Sequence, residues 1–88
     1  MVVEFERRGR VGLIILNRPE ARNAVNGDVA QGMENALDEL ENDPELWVGV
    51  ITANGPVFCA GADLKEIAAG NGAALSTKRG GFAGIVTR

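Results

Sequence analysis

The sequence predicts an α/β chain on three observations. Two short runs, Val11–Leu16 (VGLIIL) and Trp47–Ala53 (WVGVITA), are apolar almost throughout, as strands covered on both faces are. Between them, apolar residues return every three or four positions, the period of a helix with one buried face. A further strand-like segment precedes the first run. The order is therefore β-β-α-β, with the helix packed on the sheet.

Taken in order, Val2–Arg8 alternates, with Val3 and Phe5 on one face and Glu4 and Glu6 on the other, the pattern of a half-exposed strand. Gly9-Arg10 makes a tight turn, so this segment and Val11–Leu16 are expected to form a β-hairpin. Asn17–Asn26 (NRPEARNAVN) is polar with Pro19 near its start and reads as a loop. Val29, Met33, Ala36, Leu37 and Leu40 then line one stripe of a helix from about Gly27 to Asn42. Asn26 is its expected N-cap, and Asp28 suits the positive end of the helix dipole. Asp43-Pro44 stops it, because the residue before proline is pushed out of the helical region. Trp47–Ala53 is the third strand, with Trp47 expected in core or interface packing. Asp63–Ala69 fits a short helix. Residues 69–81, rich in Gly and Ala, are expected to be mobile, and Phe82–Val86 to begin another helix.

Composition excludes several functions. A formal charge of −3 without a basic cluster argues against nucleic acid as a partner. No apolar run approaches the roughly twenty residues that span a bilayer, so no membrane partner is expected. Met1 leads straight into strand-like sequence, which makes the cytosol the expected compartment. The single cysteine, Cys59, rules out an internal disulfide, and no ligand cluster with metal spacing occurs. There is no histidine, which removes any Ser-His or Cys-His nucleophilic scheme. Cys59, among apolar and small neighbours, reads as a buried structural thiol rather than a nucleophile. Eighty-eight residues bury a modest core and are marginal alone. With no capping signal at Arg88, the chain reads as one portion, residues 1–88, of a single larger domain.

The stretch most like part of an active site is Pro56–Glu66, PVFCAGADLKE. Ala60-Gly61-Ala62 presents backbone rather than side chain to whatever lies in front. The amides of Ala62, Asp63 and Leu64 are expected to be free donors at a helix start, suited to developing negative charge. The bland alternative is tight helix–strand packing. Asp63 reads more readily as a helix cap than as a catalytic group. Lys65 is either a solvated helix residue or a contact for a phosphate. Arg18 reads as half of a surface salt bridge worth little, and Arg22 as either that or an anion contact.

At NRPEARNAVN and PVFCAGADLKE the chain resembles the crotonase (enoyl-CoA hydratase/isomerase) family in its N-terminal third. The likeness runs over about residues 2–67, with the helix ending DELENDP between the two motifs. It implies the crotonase-like (ClpP/crotonase) ββα-type spiral fold, here its N-terminal part. It also implies chemistry on acyl-CoA thioesters, whose carbonyl is held between two backbone N–H groups while an enolate forms. By motif position one donor is the amide of Ala62, and losing such a donor costs about 3–4 kcal/mol of transition-state stabilisation. The same motif places Ala60, Asp63 and Leu64 near the CoA moiety, with Ala21 and Arg22 toward the nucleotide end; a phosphate contact for Lys65 would then be to coenzyme A.

In hydratases of this family, the second oxyanion glycine and the two glutamates that act on water and substrate lie further along the chain. None of the carboxylates in this sequence falls at those positions, so no general acid or base is assigned and the 88 residues alone are expected not to turn over. The activity implied is hydration of a trans-2-enoyl-CoA to the 3-hydroxyacyl-CoA, in fatty-acid or related acyl-CoA metabolism. The alternatives are another reaction of the family, such as isomerisation or thioester hydrolysis, or a non-catalytic acyl-CoA-binding relative. No cofactor is implied beyond the coenzyme A of the substrate. A homotrimer or a hexamer built as a dimer of trimers is implied.

Overall fold

The structure, a computed structural model, describes residues 1–87; Arg88, and the expectation attached to it, lies outside the described residues. Strands β1 (Val3–Arg8) and β2 (Val11–Leu16) form the expected antiparallel hairpin, in register from Val3 opposite Leu16 to Arg8 opposite Val11. Helix α1 (Gly27–Asn42) follows, and β3 (Val48–Ala53) then pairs parallel with β2, giving a sheet of order β1-β2-β3. A parallel neighbour needs a crossover, and α1 supplies it.

The helix boundaries follow their capping chemistry. The Asn26 side chain accepts from the Val29 amide at 2.9 Å, and the chain leaves the helix at Asp43, in extended conformation before Pro44. Val29, Met33, Ala36 and Leu37 are buried against Val3, Ile14 and Leu16 of the sheet. Leu40, half-buried, sits over two glycines. Gly12 and Gly49 are cross-strand partners on β2 and β3, and a methyl group on either would lie 2.8 Å or 2.5 Å from a Leu40 methyl carbon. Two missing side chains thus make the groove that seats a helix residue.

The two apolar strands are less covered than their composition predicts. On β2, Gly12, Ile14 and Leu16 are buried, but Val11, Leu13 and Ile15 on the other face are only half so. β3 lies at the sheet edge with Val48 and Val50 exposed. Trp47 is 74% exposed, stacked under the Arg10 guanidinium at 4.9 Å rather than placed in the core. Composition reports that a strand tolerates burial; it does not report what covers it.

After β3 come the short helix α2 (Leu64–Ala68), a 3-10 turn over Gly72–Leu75, and a two-stranded hairpin of β4 (Ser76–Thr77) and β5 (Gly81–Phe82). The stretch expected to be mobile therefore carries regular structure, with Leu75 buried in the main core. Arg79 donates its amide to Glu34 on α1 and pairs with Asp38. The expected helix over Phe82–Val86 is absent. Ala83 and Gly84 take positive φ, 57° and 74°, and two successive left-handed residues turn the chain instead of continuing a right-handed helix.

Candidate active site

The loop after β2 and the turn before α2 meet to form the candidate site. Pro19–Ala21 make a 3-10 turn, after which Arg22 and Asn23 both take left-handed backbone, at φ 53° and 55°. Asparagine visits that region more readily than most residues. Asn23 is also 1% exposed, and a buried amide needs partners. It accepts from the Arg18 amide at 2.7 Å and donates to the carbonyls of Asn54 and Val57 at 2.9 and 2.8 Å. One side chain thus ties the loop to the turn that leaves β3.

Further along, the backbones of loop and turn pair directly. The Ala60 amide donates to the Arg22 carbonyl at 3.0 Å, the Val25 amide to Gly61 at 2.7 Å, and the Asp63 amide to Val25 at 2.9 Å. The last two bonds make a parallel bridge between Val25 and Ala62. A trans peptide is planar, so its C=O and N–H point in opposite directions. Because the Gly61 carbonyl is aimed at Val25, the N–H of the same peptide, that of Ala62, is aimed away from it. Among the described residues the Ala62 amide has no acceptor.

That result corrects one expectation in part. Asp63's amide is not free, since Val25 takes it, and Ala62 precedes the first residue of α2, Leu64, by two positions. The direction of the Ala62 donor comes from the bridge rather than from a helix start. Gly61 enables the turn through its φ of 92°, with open space where a side chain would stand. Its role is backbone conformation rather than packing.

Asp63 is a cap, as its position suggests. One carboxylate oxygen accepts from the amides of Lys65 and Glu66 at 3.0 and 3.2 Å, and the other accepts from Arg18 Nη1 at 2.8 Å. The Arg18 hydrogen bond holds the Asp63 carboxyl below its usual 3.8, aided by the two amides and opposed by partial burial. The Arg18–Asp63 pair is not the surface salt bridge expected, because the side chains are only 17% and 9% exposed. Arg18 also donates to the Ala24 carbonyl at 2.9 Å.

The residues singled out from the sequence come together here. Ala21, Arg22, Ala60, Ala62, Asp63, Leu64 and Lys65 line one open groove of about 490 Å³, joined by Arg18 and Ala24. Arg22 and Lys65 are exposed cations with no carboxylate partner among the described residues. Leu64 is an exposed apolar side chain at 76%. Cys59, expected to be buried, is half-buried on the edge of the core. A second concavity of about 390 Å³, between β1 and α1, is rimmed by Glu4, Asn35 and Glu39 and is unsuited to a site for negative charge. Sequence reading missed the roles of Arg18 and Asn23, whose partners across the junction, Asp63, Asn54 and Val57, lie 31 to 45 positions away. The one local signal was an asparagine placed to take positive φ after a 3-10 turn.

Comparison with known proteins bears on the same residues. The enoyl-CoA hydratase/isomerase family model matches residues 6–84. A probable enoyl-CoA hydratase, echA8, of Mycobacterium bovis is 48% identical over 63 residues, covering 72% of this chain and 24% of the relative. A short-chain-enoyl-CoA hydratase of Clostridium acetobutylicum is 39% identical over 66 residues, covering 74% of this chain and 25% of its own length. The chain thus spans about a quarter of the curated relatives it matches. Among solved structures, a probable enoyl-CoA hydratase/isomerase from Mycobacterium abscessus superposes with a TM-score of 0.88 at 44% identity, over 98% of this chain and 32% of the other. A carnitinyl-CoA hydratase from Mycobacterium avium gives 0.85 at 50% identity, over 94% and 33%.

Proposed function

The chain belongs to the enoyl-CoA hydratase/isomerase family, and from that premise we propose that it is the thioester-holding part of an enoyl-CoA hydratase. In this reading the Ala62 amide donates to the thioester carbonyl of a trans-2-enoyl-CoA and stabilises the enolate that forms as water adds to give the 3-hydroxyacyl-CoA. The observation that supports it most is the Ala62 N–H, left without an acceptor and turned outward by the bridge to Val25. A fixed donor of this kind acts where charge develops, with no reorganisation at the moment of reaction. The unpaired cations Arg22 and Lys65 at the rim of the same groove suit the phosphates of coenzyme A, and Ala21, Ala60 and Leu64 supply its small and apolar lining.

The proposal extends to the rest of the protein. The 88 residues hold a carbonyl but place no carboxylate at the family's acid–base positions, so they bind acyl-CoA weakly and do not turn over alone. The second donor and the acid–base carboxylates come from further chain. Coenzyme A enters only as part of the substrate. The enzyme works in the cytosol as a trimer or a pair of trimers, and the exposed Trp47, Val48 and Val50 supply apolar surface for burial. Isomerases and thioester hydrolases of the family use the same carbonyl-holding element, so product analysis by NMR separates those readings from hydration.

The test is Ala62→Pro in the whole protein, which deletes the N–H. Turnover of a short trans-2-enoyl-CoA, followed by loss of the enoyl thioester absorbance, is expected to fall about 10²–10³-fold. A folded variant with near-parental turnover removes the assignment.

A further inference from the structure

We propose that Arg18 is a positioning residue for the Ala62 amide, an inference that rests on the oxyanion reading above. The direction of that N–H is set by the Gly61–Ala62 peptide plane, which the Val25 amide holds at 2.7 Å. The bridge is therefore only as fixed as its two strands are relative to each other. Arg18 fastens both. A single guanidinium nitrogen, Nη1, donates to the Ala24 carbonyl on the loop strand at 2.9 Å and to Asp63 Oδ2 on the turn strand at 2.8 Å. Those acceptors belong to the residues just before Val25 and just after Ala62, so the contact sits at the edge of the bridge.

The other end of the fastening is equally defined. The Arg18 amide is held by Asn23 Oδ1 at 2.7 Å, which fixes the base of the side chain. Asp63 is held by its remaining oxygen on the amides of Lys65 and Glu66, which fixes the carboxylate. Both side chains are largely shielded from water, so solvent competes little with the pair. Neither Arg18 nor Asp63 needs to touch the reacting atoms for this role. With the fastening lost, loop and turn shift by fractions of an ångström, and the donor no longer points at the developing charge.

The experiment compares Arg18→Met, Asp63→Asn and the double variant in the whole enzyme, with rates normalised to the folded fraction. Each single variant is expected to lower kcat about a hundredfold while KM stays within about threefold, the pattern of an interaction used in the transition state. The double variant is expected to be no slower than the worse single one, because the two residues act as one unit. Asp63→Asn keeps an oxygen for the α2 cap and carries the test if Arg18→Met does not fold. Unchanged kcat per folded molecule overturns the proposal, as does a raised KM with kcat kept or an additive double variant. Ala62→Pro, run beside them, separates the two readings. Lost turnover there with intact kcat in the Arg18 and Asp63 variants rejects only the positioning role, whereas retained turnover in Ala62→Pro rejects the oxyanion reading itself.

Discussion

The loop–turn junction and the β3 edge lie in one small molecule and are held in opposite ways. At the junction, Arg18, Asn23, Val25 and Asp63 are held through directed hydrogen bonds, and the Ala62 N–H has no acceptor among the described residues. At the edge, Trp47, Val48 and Val50 are apolar and exposed, with the Arg10 stacking as a directed contact. The junction is specified by the geometry of those bonds. The outward side chains of the edge offer hydrophobic surface, and that attraction is non-directional and accepts any apolar cover. Chemistry that depends on fractions of an ångström belongs with the first kind of construction.

The contrast can be broken from either side. The largest effect on stability is expected from Asn23→Ala, which strands the Arg18 amide and two carbonyls and puts alanine at a φ of 55°. Urea unfolding of the whole protein should show a loss of about 3 kcal/mol. A loss within experimental scatter would show that the junction does not depend on that side chain. Gly61→Ala tests backbone conformation alone, since nothing lies where the methyl would go. About 1–2 kcal/mol is expected from its φ, together with a rate loss as the Ala62 peptide tilts.

Acid sharpens the comparison further. Asp63 is held below its usual 3.8, chiefly by Arg18, so its folded-state pKa lies under its unfolded value. Its contribution to stability is therefore complete above 3.8 and is lost as pH falls through the lower folded value. In Arg18→Met the carboxyl should titrate at higher pH, visible as a shifted Asp63 signal in an NMR titration. An unmoved midpoint would mean that the pair does not hold in solution. The smallest effect is expected at the edge. In the 88-residue chain, Trp47→Ser should cost about 0.5 kcal/mol, the worth of an exposed cation–π contact. A loss several times larger in the whole protein would show that the edge is covered there.

The sequence carried the local structure well and the long-range contacts poorly, for physical reasons. Helix α1 was legible because its apolar period and its Asn26 and Pro44 boundary signals lie within the segment itself. The β1–β2 hairpin was legible from alternation and the Gly9 turn. The exposure of β3 was not, because apolar composition describes a capacity for burial. Phe82–Val86 looked helical because single residues do not reveal that Ala83 and Gly84 sit at positive φ. At the site, Ala60-Gly61-Ala62 was found because small residues and a following Asp–Leu–Lys–Glu leave a local mark. Arg18 and Asn23 leave little, since the bonds that tie them to Asn54, Val57 and Asp63 form only when the fold brings those residues near.

The bridge at Val25 also has a consequence in time. Neighbouring amides along the turn should exchange their hydrogens with solvent deuterium at unlike rates. Those of Val25 and Asp63 are bonded across the bridge and open only when loop and turn part, while that of Ala62, between Gly61 and Asp63 in the chain, is open continuously. A fast site next to the slow Asp63 amide would be visible without substrate, and bound thioester would slow the fast one. The junction thus keeps its own clock, readable before any reaction has taken place.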